Sequence, residues 1–433
     1  MSFVAKYDIR GIYPTDIDEK FAFRLGRAFV ALFKSKKVIV GQDARESSQS
    51  LTNELIHGLV MQGADVVDMG LCSTPMLYHA AQEADAIMVT ASHNPKEYNG
   101  FKLCRKGSVA VGEADGLTEL VRLARAGSFQ KPARRGKVTR RDLLPAYVSH
   151  VQRFANLKRK LRVVIDAGNG MAGLTVPAVF KRLLVEVVPL FFGLDGTFPN
   201  HAPNTDAVEN FRALQAMVKK RKADVGFLFD GDCDRLAMVD ERGRIVSGGG
   251  LAALLSSALV KKDDVVVATP TIPCPNVRQL SSLGAKLVLS RVGHTNVSHA
   301  LKERRGVFAF ERSGHYYFRD FHFADSADVA AVIALSAIAR QGRPVSELVE
   351  PFEPAFDVEG HFHSDEPGRV IARLAKVAQG ASVCELDGLR LDFKEGWVLV
   401  RPSNTEPVVK YYAQADSKKA LDRMVRLVRK AAS

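Results

Sequence analysis

Three acidic side chains set two apart, Asp230, Asp232 and Asp234, interrupt an otherwise apolar run in this 433-residue chain, FLFDGDCDRLAMV. Carboxylates so spaced repel one another unless a hard cation sits among them, and oxygen-only ligands suit Mg²⁺ or Ca²⁺. The calcium loop of an EF-hand is the competing pattern, imitated as far as Glu241 at its twelfth position. It fails because Arg235 stands at the sixth, where the sharp turn needs glycine, and because a strand precedes it rather than a helix. Mg²⁺ bound partly by a phosphate fits better. A second group, Ser92-His93-Asn94-Pro95 followed by Asn99-Gly100-Phe101-Lys102, puts a serine hydroxyl in a punctuated turn, with His93 beside it and Lys102 able to return toward it. That hydroxyl can carry a phosphoryl group; an ordinary turn serine is the plainer alternative. Glu311-Arg312-Ser313-Gly314-His315 combines groups that accept from and donate to vicinal hydroxyls, with a charged hairpin as its alternative. Arg401-Pro402-Ser403-Asn404-Thr405 offers a guanidinium, hydroxyls, an amide and turn N–H groups, either a phosphate cradle or a capped turn.

Side chains so distant in the chain meet only if secondary structure delivers them. In open parallel sheets ligands gather beyond the carboxyl ends of the strands, and the first three groups each follow a predicted strand. The pattern predicts a helix from Asp16 to Phe33, the strand KVIVG, a helix over Ser47 to Met61, the strand ADVVDMG, a short helix after Pro75 and the strand AIMVT ending at Thr90. A second unit follows with LRVVIDAG, a helix from Ala172, a strand from Val185 to Leu190, a helix around Val208 to Lys219 and VGFLFD ending at Asp230. A third has the strands VVVATP, AKLVLS and VFAFE, with helices near Leu251 to Val260 and Ala327 to Ala339. From about Pro354 the order becomes strand, helix, strands, helix, and Leu421, Met424, Val425 and Val428 line one face of the closing helix. The expectation is therefore three successive α/β domains with mixed or parallel sheets, residues 1–141, 142–247 and 248–352, and a C-terminal α+β domain, residues 353–433.

Composition bounds what these elements can serve. Hydrophobic residues make up 46% and charged residues 25%, which excludes a disordered or fibrous chain. No apolar run approaches the roughly 18 residues that span a bilayer, and Lys6, Asp8 and Arg10 stand where a signal peptide needs its apolar stretch. Five scattered cysteines without CxxC spacing fit neither a disulfide framework nor a cysteine zinc site. A cytoplasmic location is expected. The net charge of +13 admits an anionic partner, but part of it is local: Arg122 to Arg141 holds eight basic residues and no acidic one. With Gly127, Pro132 and Gly136 inside it, that stretch reads as a solvated linker. No RNA-binding aromatic motif, zinc finger or basic zipper accompanies it, so small phosphorylated molecules are the expected partners, with neither nucleic acid nor membrane.

Together and in this order, the four groups resemble the active-site loops of the α-D-phosphohexomutase family, in its bacterial phosphomannomutase/phosphoglucomutase branch. TASHNP at 90–95 is similar to the family's phosphoserine loop, DGDCDR at 230–235 to its magnesium loop, ERSGH at 311–315 to its sugar-binding loop and RPSNTEP at 401–407 to its phosphate-binding loop. Lesser matches fall in register at Tyr7 to Gly11, GQDARESS at 41–48, NGFK ending at Lys102, DAGNG at 166–170, DGTFPNHAPN at 195–204 and Gly293-His294, so the resemblance covers nearly the whole chain. It implies four domains around a central cleft, one loop from each. It also implies that phosphorylated Ser92 gives its phosphoryl group to a hexose 1-phosphate or 6-phosphate, and that the resulting hexose 1,6-bisphosphate turns around and returns the other one. Mg²⁺ would be held by Ser92, Asp230, Asp232 and Asp234, with Arg10, Lys102 and Arg235 around the same phosphate. His294, Lys102 and His93 are candidate proton carriers. Glu311, Ser313, Gly314 and His315 would bind the sugar, and Arg401, Ser403, Asn404 and Thr405 the phosphate that is not reacting. Glucose and mannose differ only at C2, whereas the family's sugar loop meets C3 and C4, so activity on both is expected, with glucose 1,6-bisphosphate or mannose 1,6-bisphosphate as activator. Phosphoglucosamine mutase, disfavoured by Thr90 and Asn404, and a phosphoserine-dependent sugar phosphatase are the alternatives. The sequence departs from the family at Phe310 and Ala327, where glycine is usual, and TPTIPCPNV lacks a lysine that the mannomutase branch often carries.

Overall fold

The computed structural model describes residues 7–364, 366–377, 380–402 and 408–432. Its elements start and stop where local chemistry directs. The helix Glu19–Phe33 opens where the Asp18 carboxylate accepts the Phe21 N–H at 2.7 Å, three residues later than the apolar pattern places it, and closes at Lys34 in the left-handed region. Its Leu25, Ala28 and Phe29 face is buried.

Four sheets follow one another along the chain. In the first, Asp85–Val89, Lys37–Gln42, Asp65–Leu71 and Val138–Arg140 run parallel, and Tyr98–Arg105 and Ile9–Ile12 complete the other edge antiparallel. The second has Val185–Leu190, Leu161–Asp166 and Val225–Phe229 parallel, then Leu236–Asp240 antiparallel. The third has Lys286–Leu289, Val265–Ala268 and Phe308–Phe310 parallel, then Tyr316–Phe318 antiparallel. All three share one device. A parallel strand ordinarily leaves through a helical crossover, but here the last one turns straight back on itself. The turn falls at residues 90–97, 230–235 and 311–315, so a functional loop sits at the same place in each sheet.

The fourth sheet is antiparallel throughout, in the order Phe356–His363, Val408–Ala415, Gly396–Pro402, Leu389–Phe393, Ser382–Cys384. Val370 and Leu374 of the helix Pro367–Val377 and Leu421, Met424 and Val428 of the helix Lys418–Ala432 cover its apolar face. Ser403, Asn404 and Thr405 lie outside the described residues.

One buried apolar cluster runs without a break through the first three units, from Met88 through Phe229 and Cys233 to Phe310 and Leu335. Burial of this kind fixes their mutual placement. The fourth unit has its own cluster and docks by polar contacts: the Arg390 guanidinium donates to Pro270 O and to Ile272 O, and Gln414 Oε1 accepts the Cys274 N–H at 2.9 Å.

Two departures from the sequence pattern have visible causes. The basic stretch is only partly a linker, because the helix Leu117–Ala126 takes its first residues and Val138–Arg140 adds an edge strand beside Asp65–Leu71. Arg134 grips both Asp65 carboxylate oxygens at 3.0 and 2.9 Å, and Asp65 also accepts the Lys137 N–H, which docks the segment alongside the packing of Phe129 on the first unit's core. The helix read around Val208 to Lys219 begins as a 3₁₀ turn, Val208–Phe211, before Arg212–Arg221. The helices Leu144–Gln152, Cys274–Ser282 and His294–Glu303 escape the sequence pattern. Among the described residues, no helix is long and apolar enough to cross a membrane.

Candidate active site

Ser92 is 1% exposed and takes φ 51, the left-handed region that costs an L-residue about 1–2 kcal/mol. The strand before it supplies the first restraint: Thr90 Oγ1 accepts the Ser92 N–H at 2.9 Å and donates to Asp43 at 2.7 Å. Arg45 supplies the second. Its buried guanidinium donates to the carbonyls of Ser92, Asn94, Pro95 and Tyr98 at 2.8, 2.7, 2.6 and 3.0 Å, anchored by Asp43 at 3.1 Å. The sequence reading matched GQDARESS without giving Arg45 a role. An arginine two residues after Asp43 and just before Ser47 and Ser48 at a helix start is the trace it leaves in the sequence, and its burial, which decides the role, leaves none.

The serine hydroxyl donates to Asp230 Oδ2 at 2.9 Å and lies 3.3 Å from His93 Nδ1. Gly231 allows this approach, since a Cβ there would stand 2.5 Å from the Ser92 carbonyl oxygen. Asp230 Oδ1 accepts the N–H groups of Asp234 and Arg235, each at 3.0 Å, which closes the loop around the carboxylates. Asp232 accepts from Thr74 Oγ1 at 2.6 Å and pairs with Lys102 Nζ at 2.8 Å, and Lys102 also pairs with Asp234.

These carboxylates are fully buried and share one compensating lysine. Burial and the charges of Asp234 and Asp232 raise the Asp230 carboxyl well above its ordinary range. Burial pushes Asp232 and Asp234 the same way, but Lys102, joined by Thr74 at Asp232 and by His315 and Arg235 at Asp234, holds both low. Burial would lower the Lys102 ammonium, yet Asp232 and Asp234 keep it raised. One oxygen on each of Asp232 and Asp234, Oδ1 in both cases, is buried without a hydrogen-bond partner. Buried acceptors are normally satisfied, and oxygens of the three carboxylates lie within 4.8 Å of one another. The donor set therefore fits a hard divalent cation.

The other expected residues converge on this point. Arg10 donates to Asn94 Oδ1 at 2.7 Å and pairs with Asp8 at 2.9 Å, and Asp8 in turn holds His294 Nε2 at 2.9 Å. Burial lowers the His294 imidazole, but Asp8 outweighs it and favours the charged form. His93 goes the other way: burial, then the charges of Arg235 and Arg10, hold it neutral. Glu311 accepts from the Tyr317 hydroxyl at 2.6 Å and from the Gly293 N–H at 3.1 Å. Backbone bonds join the second and third loops, with Leu236 N–H donating to Gly314 O at 3.1 Å. Ser313 is half-buried beside them.

His315, expected on the sugar, has both ring nitrogens committed. Nδ1 faces Asp325 at 2.6 Å and Nε2 faces Arg235 Nε at 2.9 Å. Since Arg235 can only donate, His315 must carry its proton on Nδ1 and accept at Nε2. In this arrangement it positions Arg235. Arg401 lies 3.6 Å from Asp387 and over the Tyr412 ring at 5.5 Å. It acts at Tyr7 together with the third loop: burial and then Asp387 and Glu311 raise the Tyr7 hydroxyl, opposed by Arg401 and Arg291.

A buried serine on a strained turn, facing a carboxylate trio and ringed by cations, defines an α/β enzyme of phosphoryl transfer. Comparison with known proteins narrows the class. Four family profiles match in order: phosphoglucomutase/phosphomannomutase alpha/beta/alpha domains I, II and III at residues 2–130, 145–243 and 247–355, and the C-terminal domain at 354–431. A phosphomannomutase of Salmonella montevideo is 34% identical over 422 residues, 93% of this chain and 92% of its own length. A phosphoglucomutase of Neisseria gonorrhoeae is 32% identical over 437 residues, 96% and 94% of the two lengths. The crystal structure of a phosphoglucomutase/phosphomannomutase family protein from Burkholderia thailandensis superposes with a TM-score of 0.89 at 32% identity, covering 98% of this chain and 96% of that one. The chain belongs to the phosphoglucomutase/phosphomannomutase family, the bacterial branch of the α-D-phosphohexomutases. It is an intramolecular phosphotransferase acting on hexose phosphates through a phosphoserine and a bisphosphate intermediate.

Proposed function

We propose that this enzyme interconverts the 1- and 6-phosphates of both mannose and glucose, with Ser92 as the phosphoryl carrier. The observation that carries the assignment of Ser92 is its hydroxyl on Asp230 at 2.9 Å, at the mouth of the carboxylate trio. Support for dual specificity is the similar identity to a phosphomannomutase and to a phosphoglucomutase, 34% and 32%. The two hydrogen bonds on Glu311 also fix a carboxylate that, set against C3 and C4 as the family resemblance implies, would not tell the sugars apart at C2.

Asp230, Asp232 and Asp234, with the phosphate on Ser92, would hold Mg²⁺, which supplies positive charge against the phosphoryl oxygens. The chain's own residues do the rest. Arg45 and Thr90 hold the serine in its strained turn, and Arg10, Lys102 and Arg235 present fixed positive charge to the transferring group. Of the three candidate proton carriers, Lys102 and His294 have their charged forms favoured, by Asp232 with Asp234 and by Asp8, whereas burial disfavours the charged form of His93. Arg401, with Ser403, Asn404 and Thr405, would retain the phosphate that is not reacting, and a hexose 1,6-bisphosphate would prime the enzyme. Glu311 and Ser313 would hold the sugar hydroxyls at C3 and C4. We place the reaction in the cytoplasm, and take residues 1–141, 142–247, 248–352 and 353–433 as the working domain division.

The test is intact-mass and peptide mapping after exposure to glucose 1,6-bisphosphate, followed by assays on mannose 1-phosphate, glucose 1-phosphate and glucosamine 6-phosphate. One phosphate on Ser92 and turnover of the first two sugars within a thousandfold of each other are expected. Phosphate on another residue, or a wider preference, overturns the proposal.

A further inference from the structure

Three histidines that take no part in the chemistry above meet at the junction of the first three units. His79 ends the helix Thr74–Ala80, His150 lies in the last turn of the helix Leu144–Gln152, and His322 follows the 3₁₀ turn Arg319–Phe321 in the left-handed conformation, φ 60. Residues 79, 150 and 322 are too far apart for any sequence spacing to have linked them. His79 Nδ1 and His322 Nε2 are 3.0 Å apart, and one ring nitrogen from each histidine lies within 4.8 Å of the others.

We infer that these three imidazoles form a binding site for a divalent transition metal, Zn²⁺ foremost, separate from the carboxylate loop. Geometry is the first reason. Three imidazoles on one tetrahedral zinc, with Zn–N about 2.0–2.1 Å, put their nitrogens about 3.3 Å and their ring centroids roughly 5.2 Å apart. The centroids here are 4.8, 5.3 and 5.0 Å apart, so small ring rotations close the site. Orientation is the second. His150 Nε2 donates to Asp320 O at 3.2 Å, a backbone anchor that zinc-bound histidines commonly have, and this fixes Nδ1 as the basic nitrogen.

The third reason is charge. Burial and then mutual proximity lower His79 and His322 to about 4, and burial lowers His150, so the neutral rings can each turn an unprotonated nitrogen toward an ion, which would replace the His79–His322 hydrogen bond. The charged groups that face them, Glu83 on His79 and Arg153 and Asp320 on His150, leave this balance in place. Three nitrogens with no carboxylate among them suit zinc, nickel or copper and not Mg²⁺ or Ca²⁺. The rings are half-buried, so an ion can reach them from solvent.

A metal here would clasp three units at once, at the far end of a helix whose first residue, Thr74, bonds Asp232. The test uses the full chain, stripped of transition metals by chelation and held in saturating Mg²⁺ so that the carboxylate loop does not compete. Titration with Co²⁺ should give one equivalent with the intense visible bands of four-coordinate, nitrogen-ligated cobalt, displaced by Zn²⁺. Zn²⁺ should also raise the melting temperature. His79→Gln and His322→Gln should lose the bands and the zinc-dependent rise, weaken binding at least about tenfold, and keep wild-type turnover in chelator. If either fails to fold, His150→Gln decides on the same readouts. No one-equivalent cobalt site in the wild type, or equal binding in folded histidine variants, overturns the inference.

Discussion

Replacing Arg45 by lysine asks how much of the catalytic power resides in holding Ser92 in place. The guanidinium spans four loop carbonyls, those of Ser92, Asn94, Pro95 and Tyr98, as well as Asp43. A lysine keeps the charge against Asp43, but its single nitrogen cannot reach across the loop, and at least two buried carbonyls lose their partner. Each such loss costs about 1–3 kcal/mol, so about 2–6 kcal/mol is withdrawn from a turn that already carries strain at Ser92. If this appears as a loop that spends most of its time away from the reactive geometry, about 2 kcal/mol alone lowers kcat roughly 30-fold. The assay couples glucose 6-phosphate formation to its dehydrogenase, with phosphorylation of Ser92 by glucose 1,6-bisphosphate followed in parallel by intact mass. Circular dichroism at the assay temperature confirms that the variant is folded. A folded Arg45→Lys enzyme within about threefold of the wild-type kcat would refute the reasoning, since the unpaired carbonyls would then cost the reaction almost nothing.

Asp232→Asn removes a charge from the trio while keeping an oxygen near Lys102, so the Mg²⁺ concentration for half-maximal activity should rise about tenfold or more, read from a magnesium titration. Gly231→Ala would drive a methyl group to 2.5 Å from the Ser92 carbonyl oxygen, and the displacement of one loop against the other should cost about 100-fold in kcat with little change in KM. The His294–Asp8 pair gives a pH signature. Asp8 raises the folded histidine above its unfolded value of about 6.5, so its contribution to stability is complete below that value and is lost as pH rises through the folded one. The gap in melting temperature between wild type and His294→Asn should therefore be widest near about pH 6 and narrow toward about pH 9; a gap that widens with pH would contradict the pairing.

What was legible in the sequence was chemistry tied to short range. The run of Asp230, Asp232 and Asp234 demands a cation wherever it is buried, and the apolar strands before the loops at 90–95, 230–235 and 311–315 fixed where each would emerge. The alternation of helix and strand gave the order of the units for the same reason, since side-chain periodicity is a local property. Tertiary structure decided whatever depends on distant segments meeting. It placed Lys102 between two aspartates and so set which carboxyls are held low, and it committed both nitrogens of His315 to Asp325 and Arg235. It made Arg45 the clamp of a loop some 50 residues away, with hydrogen bonds 47 to 53 positions apart. It also turned the basic stretch into an edge strand through Asp65 and gathered His79, His150 and His322 at one seam. None of these contacts has a period or a spacing. The contacts between units follow from a shared core that holds three units in one fixed relation, and those of Arg45 and Asp65 arise inside the first unit, where neighbouring strands bring distant segments side by side.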